Sequence, residues 1–155
     1  GERRQDSVRC GLAAIPAGVE VVAVHDAARP LLDADTALRA VRAAAAHGAA
    51  LAAVRVTDTI KDVRDDGIVA GTPDRSRLWA AQTPQCFRLE LLLRAHEAAL
   101  RDGLDATDDA ALVEALGGKV HVVPGHPWNL KVTEPRDLRL AEALLGLRAA
   151  EGGGA

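Results

Sequence analysis

The run Val21-Val22-Ala23-Val24, followed at once by His25-Asp26-Ala27-Ala28-Arg29-Pro30, constrains the fold most. Consecutive apolar residues rich in valine predict a strand from Glu20 to Val24 that is buried on both faces, as strands of parallel sheets are. The abrupt change to His-Asp and then proline predicts a loop at the carboxyl end of that strand. In open α/β sheets ligands bind beyond such ends, so Asp26 is offered to a crevice with Arg29 one turn further on. A carboxylate and a guanidinium at this spacing can hold a divalent cation and a phosphate side by side. The same spacing suits an N-cap aspartate paired with a nearby arginine, and the residues alone leave both readings open.

The rest of the chain supplies helices and strands in alternation. Asp6 or Ser7 is expected to cap a helix running through Leu12, with Val8 and Leu12 on one face. From Asp35 to Ala46 the residues Ala37, Leu38, Val41 and Ala45 recur at helical spacing, and His47-Gly48 closes the helix. Ala49 to Val56 then predicts the next parallel strand and a β-helix-β unit. Residues 57–73 read as a β-arm, two short strands around the polar turn Arg64-Asp65-Asp66. So little apolar surface cannot hold a two-stranded arm on its own, which predicts packing against something else, such as a second subunit.

Asp74 to Phe87 is expected to be a core-anchoring loop, kinked at Thr83-Pro84, that buries Trp79 and Phe87. Arg88 to Leu100 predicts a helix with Leu89, Leu92 and Leu93 inward, ended by Gly103. Thr107 is expected to cap the next helix, with Asp108 and Asp109 at its positive end. Lys119 to Val123 and Asn129 to Thr133 predict two further strands. Pro135 opens a last helix, with Leu138, Ala141, Leu144 and Leu145 inward, before a flexible tail at 151–155.

A chain of 155 residues with 48% hydrophobic residues suits one α/β domain of three layers. A net charge of -3 gives no broad basic surface, which argues against nucleic acid as a partner. No apolar run has membrane-spanning length, which argues against a membrane. Cys10 and Cys86 sit in apolar surroundings without metal-ligand spacing, as suits a reduced, cytoplasmic protein. Polar residues gather at expected strand ends: Asp26, Arg29, Thr59, Lys61, Arg75, Thr83, Thr107 and Lys131. Cations and hydroxyls around one carboxylate suit a phosphorylated substrate with a metal, and suit a Ser-His-Asp hydrolase poorly. His25, ending a strand, is expected to be a satisfied structural group.

Six segments, in order, carry a resemblance. They are Arg4-Gln5-Asp6-Ser7-Val8 with Gly11-Leu12, Val24 to Pro30, Asp58-Thr59-Ile60-Lys61, Leu78-Trp79 with Gln82-Thr83-Pro84-Gln85, Thr107-Asp108, and Asn129 to Thr133. Together they resemble the 2-C-methyl-D-erythritol 4-phosphate cytidylyltransferases of the non-mevalonate isoprenoid pathway. The resemblance implies a Rossmann-like nucleotidyltransferase sandwich with a protruding β-arm. It also implies cytidylyl transfer from CTP to methylerythritol phosphate, with Mg2+. By the same resemblance Asp26 holds metal and substrate, and Arg29 and Lys131 act at the reacting phosphates. Thr59, Arg75, Thr83 and Thr107 grip the polyol phosphate, some reaching across a homodimer through the arm. Gly1 and Ser7 match contacts to the cytidine.

One departure from the family is large. Its first strands and the Gly-rich loop that cradles the triphosphate have no match here, so the chain looks like the C-terminal two-thirds of such an enzyme. Alone it is expected to bind CTP poorly and to turn over negligibly, and the edge beside Val21 to Val24 is expected to be open. Two rival readings remain: a ribitol 5-phosphate cytidylyltransferase, which shares the Asp-Ala-x-Arg-Pro turn, and a non-catalytic binding or dimerisation module.

Overall fold

The computed structural model describes residues 1–152, and its centre is a strand that the sequence conceals. Trp79–Arg88, expected as a loop, runs as a ten-residue strand inside a four-stranded sheet. In chain order the elements are α1 (Arg4–Ala13), β1 (Val21–Val24), α2 (Ala34–His47), β2 (Ala49–Arg55), β3 (Asp62–Val63), β4 (Val69–Gly71), β5 (Trp79–Arg88), α3 (Leu89–Asp102), α4 (Asp109–Ala115), β6 (His121–Pro124) and α5 (Pro135–Gly152). The sheet order is β1-β5-β2-β6. β5 is antiparallel to both β1 and β2, and β6 is parallel to β2. The expected β1-α2-β2 unit therefore forms, with β5 inserted between its two parallel strands.

Proline in a central strand normally argues against the strand, because it removes a ladder donor. Here pairing with β1 stops at Gln85, while pairing with β2 jumps from Leu51 opposite Gln85 to Ala53 opposite Ala81. Residues 82–84 thus bulge out of the ladder at the place where Pro84 sits, and the cis Thr83–Pro84 peptide lies within the bulge. Bulges re-aim side chains beside sites. This one turns Gln82 and Thr83 towards the cavity described below.

Three layers follow from the period of two along β2. Ala49, with Phe87 of β5, packs against Leu12, Leu92, Ala95, Ala99, Leu112 and Val113 from α1, α3 and α4. Ala50 and Ala52, with Cys86 of β5 and Val123 of β6, pack against Ala40 and Ala44 of α2. Burial pushes the Cys86 thiol up to about 11. Cys10, expected in apolar surroundings, is exposed on α1.

Several faces and ends differ from expectation. β1 is not buried on both faces: among the described residues it pairs only with β5, so it is an edge strand and Ala23 is exposed. α2 turns Thr36, Ala40 and Ala44 inward, while Leu38 and Val41 lie outside. A sheet face built of alanine and cysteine lets the helix approach only by its small residues. In α3 the buried stripe is Leu92, Ala95, His96 and Ala99, and Leu93 is exposed. Asp33 caps α2 by accepting from the Thr36 N–H. α1 begins at Arg4 without a side-chain cap, and Asp6 instead pairs with Arg3.

The cap of α4 is Asp108, which accepts from the Ala111 N–H, and not Thr107. Asn129 to Thr133 forms no strand, although the Val132 N–H donates to the Ala28 carbonyl. Ala141 is the buried residue of α5, with Leu138 and Leu145 exposed. The expected tail overlaps this helix at Glu151 and Gly152, and residues 153–155 lie outside the described residues. The β-arm forms as expected, β3 against β4, with Gly67 at φ 80° in its turn. No helix among the described residues is long and apolar enough to cross a membrane.

Candidate active site

At the carboxyl end of β1, beside the β5 bulge, lies a cavity of about 230 Å³. Asp26, Arg29, Thr83, Thr107 and Lys131 all line it, drawn from residues more than 100 positions apart. Asp26 is the electrostatic centre. Its Oδ2 lies 3.0 Å from Lys131 Nζ and 3.9 Å from Arg29 Nε, and its Oδ1 lies 3.6 Å from Arg4 Nε. Burial pushes this carboxyl up, yet the Lys131 hydrogen bond and the charges of Lys131, Arg4 and Arg29 outweigh it and hold the group below the usual carboxylate range. Burial also lowers Arg29, against the pull of Asp26, and a guanidinium stays protonated regardless.

Each of these groups is held from behind. The backbone N–H of Asp26 donates to Thr83 Oγ1, and that hydroxyl also bonds His25 Nδ1 at 2.9 Å. His25 Nε2 lies 3.0 Å from the Arg29 carbonyl, so His25 is the satisfied structural group expected. Arg29 donates through Nη1 to the Asn129 carbonyl at 2.7 Å. Asn129 is fully buried and donates in turn to the Thr83 carbonyl at 2.8 Å. Segment 129–133 therefore needs no strand ladder to deliver Lys131: Asn129 locks it to β5, and Val132 locks it to the Asp26 loop.

The Thr107 side is built in the same way. Gln85 donates to Asp108 Oδ2 at 2.7 Å and accepts from the Ala110 N–H, joining β5 to the start of α4. Buried Gln5 of α1 spans Leu104 and Ala106, just ahead of Thr107. With Asp108 as the cap, the Thr107 hydroxyl is left available to the cavity.

The remaining expected residues lie elsewhere. Thr59 on the β-arm and Arg75 in the turn after it are exposed and outside the cavity lining, and Arg75 donates to the Thr57 carbonyl. Lys61 donates to Thr72 Oγ1 within the arm. Gly1 and Ser7 sit at the start of α1, where Ser7 Oγ donates to the Arg3 carbonyl, and neither lines the cavity. Sequence reasoning missed Arg4, Gln85 and Asp108. Arg4 lies 22 positions before Asp26, and no spacing rule links the two.

Among the described residues no group of three or more His, Cys, Asp or Glu could hold a metal ion. Asp26 can offer one carboxylate, and Mg2+ commonly takes one or two carboxylates together with substrate phosphates. The residues thus fit a cation that arrives with its phosphate, and do not fit a protein-caged one. Three cations and two hydroxyls around a small cavity, with Asp26 paired to the cations and Asp108 engaged by Gln85 and the start of α4, can bind phosphoryl groups and neutralise charge on them.

Comparison with known proteins identifies the family. The family model for 2-C-methyl-D-erythritol 4-phosphate cytidylyltransferase (IspD) matches residues 1–147. A cytidylyltransferase of that name from Symbiobacterium thermophilum is 56% identical over 145 residues, which is 94% of this chain and 61% of the relative. The chain thus spans about three-fifths of the length of that curated relative. The crystal structure of 2-C-methyl-D-erythritol 4-phosphate cytidylyltransferase from Thermus thermophilus superposes with a TM-score of 0.85 at 41% identity, covering 93% of this chain and 70% of that one. The structure of 4-diphosphocytidyl-2C-methyl-D-erythritol synthase from Anaerococcus prevotii gives 0.87 at 34% identity, covering 93% and 67%. The chain belongs to the 2-C-methyl-D-erythritol 4-phosphate cytidylyltransferase family.

Proposed function

We propose that this chain carries the phosphoryl-handling site of an enzyme that transfers a cytidylyl group from CTP to 2-C-methyl-D-erythritol 4-phosphate and releases pyrophosphate. The observation that supports it most is the convergence of Arg29, Lys131, Thr83 and Thr107 on Asp26 in one cavity. An oxygen of the substrate phosphate attacks the α-phosphorus of CTP in line, forming one P–O bond as the bond to pyrophosphate breaks. Both reactants are anions, so the protein's task is positioning and charge neutralisation, and no covalent nucleophile is needed.

Lys131, hydrogen-bonded to Asp26 and half-exposed, is placed to exchange that partner for a phosphate oxygen. Arg29, pinned through Asn129 and Asp26, offers a fixed charge. The hydroxyl of Thr107 contacts the polyol phosphate. Thr83 is shared between Asp26 and His25, so it orients the site as well as contacting substrate. Bound at Asp26, Mg2+ would supply further neutralisation of the phosphate oxygens.

The β-arm is assigned to a homodimer contact, with Thr59 and Arg75 acting at the partner's site and Gly1 and Ser7 at the cytidine. Residues 1–155 alone are proposed to turn over negligibly, since no Gly-rich phosphate cradle occurs before Gly152. The two free thiols support a cytoplasmic setting.

The test is pyrophosphate release by the full-length gene product given CTP with methylerythritol phosphate or ribitol phosphate. Lys131→Ala is expected to lower turnover at least about 100-fold, as loss of one electrostatic stabiliser does. Near-normal turnover, or preference for ribitol phosphate, would overturn the reading. Mixing Arg75→Ala with Lys131→Ala protomers is expected to recover activity, because a mixed dimer holds one intact site. No recovery would remove the arm from the reaction.

A further inference from the structure

Behind the cavity runs a buried ionic chain that the proposed reaction does not use. Asp109 opens α4 and is 1% exposed, and His96 on α3 is 2% exposed. His96 Nε2 lies 3.0 Å from Asp109 Oδ1. On its other side Asp109 Oδ2 lies 2.7 Å from Arg4 Nη1. Arg4 then extends from α1 into the cavity lining, where its Nε stands 3.6 Å from Asp26 Oδ1.

A buried carboxylate is costly unless it is paired, and removing one partner of such a pair leaves an uncompensated charge. Asp109 has compensation from the Arg4 guanidinium and from the positive end of α4. A carboxylate oxygen can only accept, so His96 Nε2 donates to Asp109 Oδ1, and Nδ1 has no partner. Asp109 is thereby fixed by an element that never reaches the cavity, and its free side is turned to Arg4.

Arg4 is bound tightly at one end only. The 2.7 Å contact to Asp109 is a close ion pair, although its angles are not those of a hydrogen bond, whereas 3.6 Å to Asp26 lies beyond hydrogen-bonding range. One edge of the guanidinium is therefore anchored, and the other faces the cavity, short of a bond. Should Asp26 engage a cation or exchange partners, Arg4 would keep its place. That is the arrangement wanted of a phosphate-binding arginine that must not collapse onto the catalytic carboxylate.

We propose that Arg4 is a further phosphate-binding residue of this site, and that Asp109, steadied by His96, is the residue that positions it. The inference rests on the cytidylyl-transfer reading and adds a third cation to Arg29 and Lys131. A structural clasp joining α1, α3 and α4 predicts loss of stability alone. A positioning role predicts a kinetic effect that passes through Arg4.

The experiment compares Arg4→Ala, Arg4→Lys, Asp109→Asn, His96→Gln and the double variant Arg4→Ala/Asp109→Asn in the full-length protein, by kcat, KM and Tm. Arg4→Ala is expected to lower kcat/KM about 10- to 100-fold, the range of one charge-assisted hydrogen bond, with Arg4→Lys recovering part of it. Asp109→Asn is expected to lower kcat/KM in the parent and to add almost nothing once Arg4 is alanine. Such non-additivity marks residues acting as one unit. Arg4→Ala within twofold of the parent, or Asp109→Asn costing as much in the Arg4→Ala background as in the parent, would overturn the proposal. If Asp109→Asn does not fold, His96→Gln in both backgrounds decides the same point. If the parent protein transfers no cytidylyl group, the reaction assignment fails on its own. Calorimetry with inorganic pyrophosphate then decides for Arg4, with weaker binding by Arg4→Ala expected and equal binding overturning its role.

Discussion

The cavity and the β-arm both carry residues of the kind that bind phosphate, and they are built on opposite principles. In the cavity the charged groups other than Lys131 are tied to a buried one: Asp26 to Thr83, Arg29 to Asn129, Arg4 to Asp109 and Asp108 to Gln85, and Lys131 is held by Asp26. In the arm, and at Arg75 just after it, the cations Lys61, Arg64 and Arg75 are satisfied by neighbours within residues 57–74, and every residue from Thr57 to Ala70 is exposed to solvent. Ile60, Val63, Ile68 and Val69 are exposed there as well. Rigid support lets a charge act at a fixed point without reorganising, which is where electrostatic catalysis gains most. A thin exposed hairpin cannot offer that by itself.

The largest expected effect tests the cavity. Asp26→Ala should reduce steady-state turnover at least about 100-fold, near 2.7 kcal/mol in barrier, because three cations lose their common partner. A loss below tenfold would make the cavity no more committed than the arm. Next in size, Asn129→Ala should destabilise the fold by about 1–3 kcal/mol in urea unfolding, since the Thr83 carbonyl is left buried without its donor. Unchanged stability would mean that the cavity is not rigidly supported.

A smaller contrast comes from the arm. Arg75→Ala should leave the Tm of the isolated protomer unmoved, because its one bond goes to an exposed carbonyl, while turnover of the associated protein falls. A large drop in Tm would show that the arm belongs to the protomer's own core.

The smallest effect is a titration. The folded carboxyl of Asp26 lies below its unfolded value of about 3.9, so its contribution to stability is present above that pH and is lost as pH falls through the folded value. Lys131→Ala removes the hydrogen bond that lowers it most, so its midpoint by carboxyl NMR should move upward and acid unfolding should begin at higher pH. A midpoint that stays in place would mean that Lys131 does not hold Asp26.

How far the sequence could be read differs between these regions for physical reasons. Helices α2 and α3 were legible because leucine and alanine repeat at 3.6-residue spacing and glycine closes each end. Their facing was not, since the inward stripe was set by the small side chains of the sheet beneath. β5 was hidden because Thr83-Pro84 reads locally as a break, and only the register jump against β2 makes room for proline. Asp108 displaced Thr107 as the α4 cap once Gln85 reached across from β5, a contact that no local pattern contains.

Sequence alone determined the residue types that phosphate chemistry requires, the order in which they occur, and the alternation of helix and strand, because those depend on local spacing and side-chain chemistry. Tertiary structure decided which of them meet. Asp26 and Lys131 are brought to 3.0 Å by the packing of β5 between two parallel strands, and the same packing brings in Arg4 and leaves Thr59 and Arg75 outside. Long-range contacts of that kind are fixed by how whole layers bury their apolar faces, and no short stretch of sequence records it.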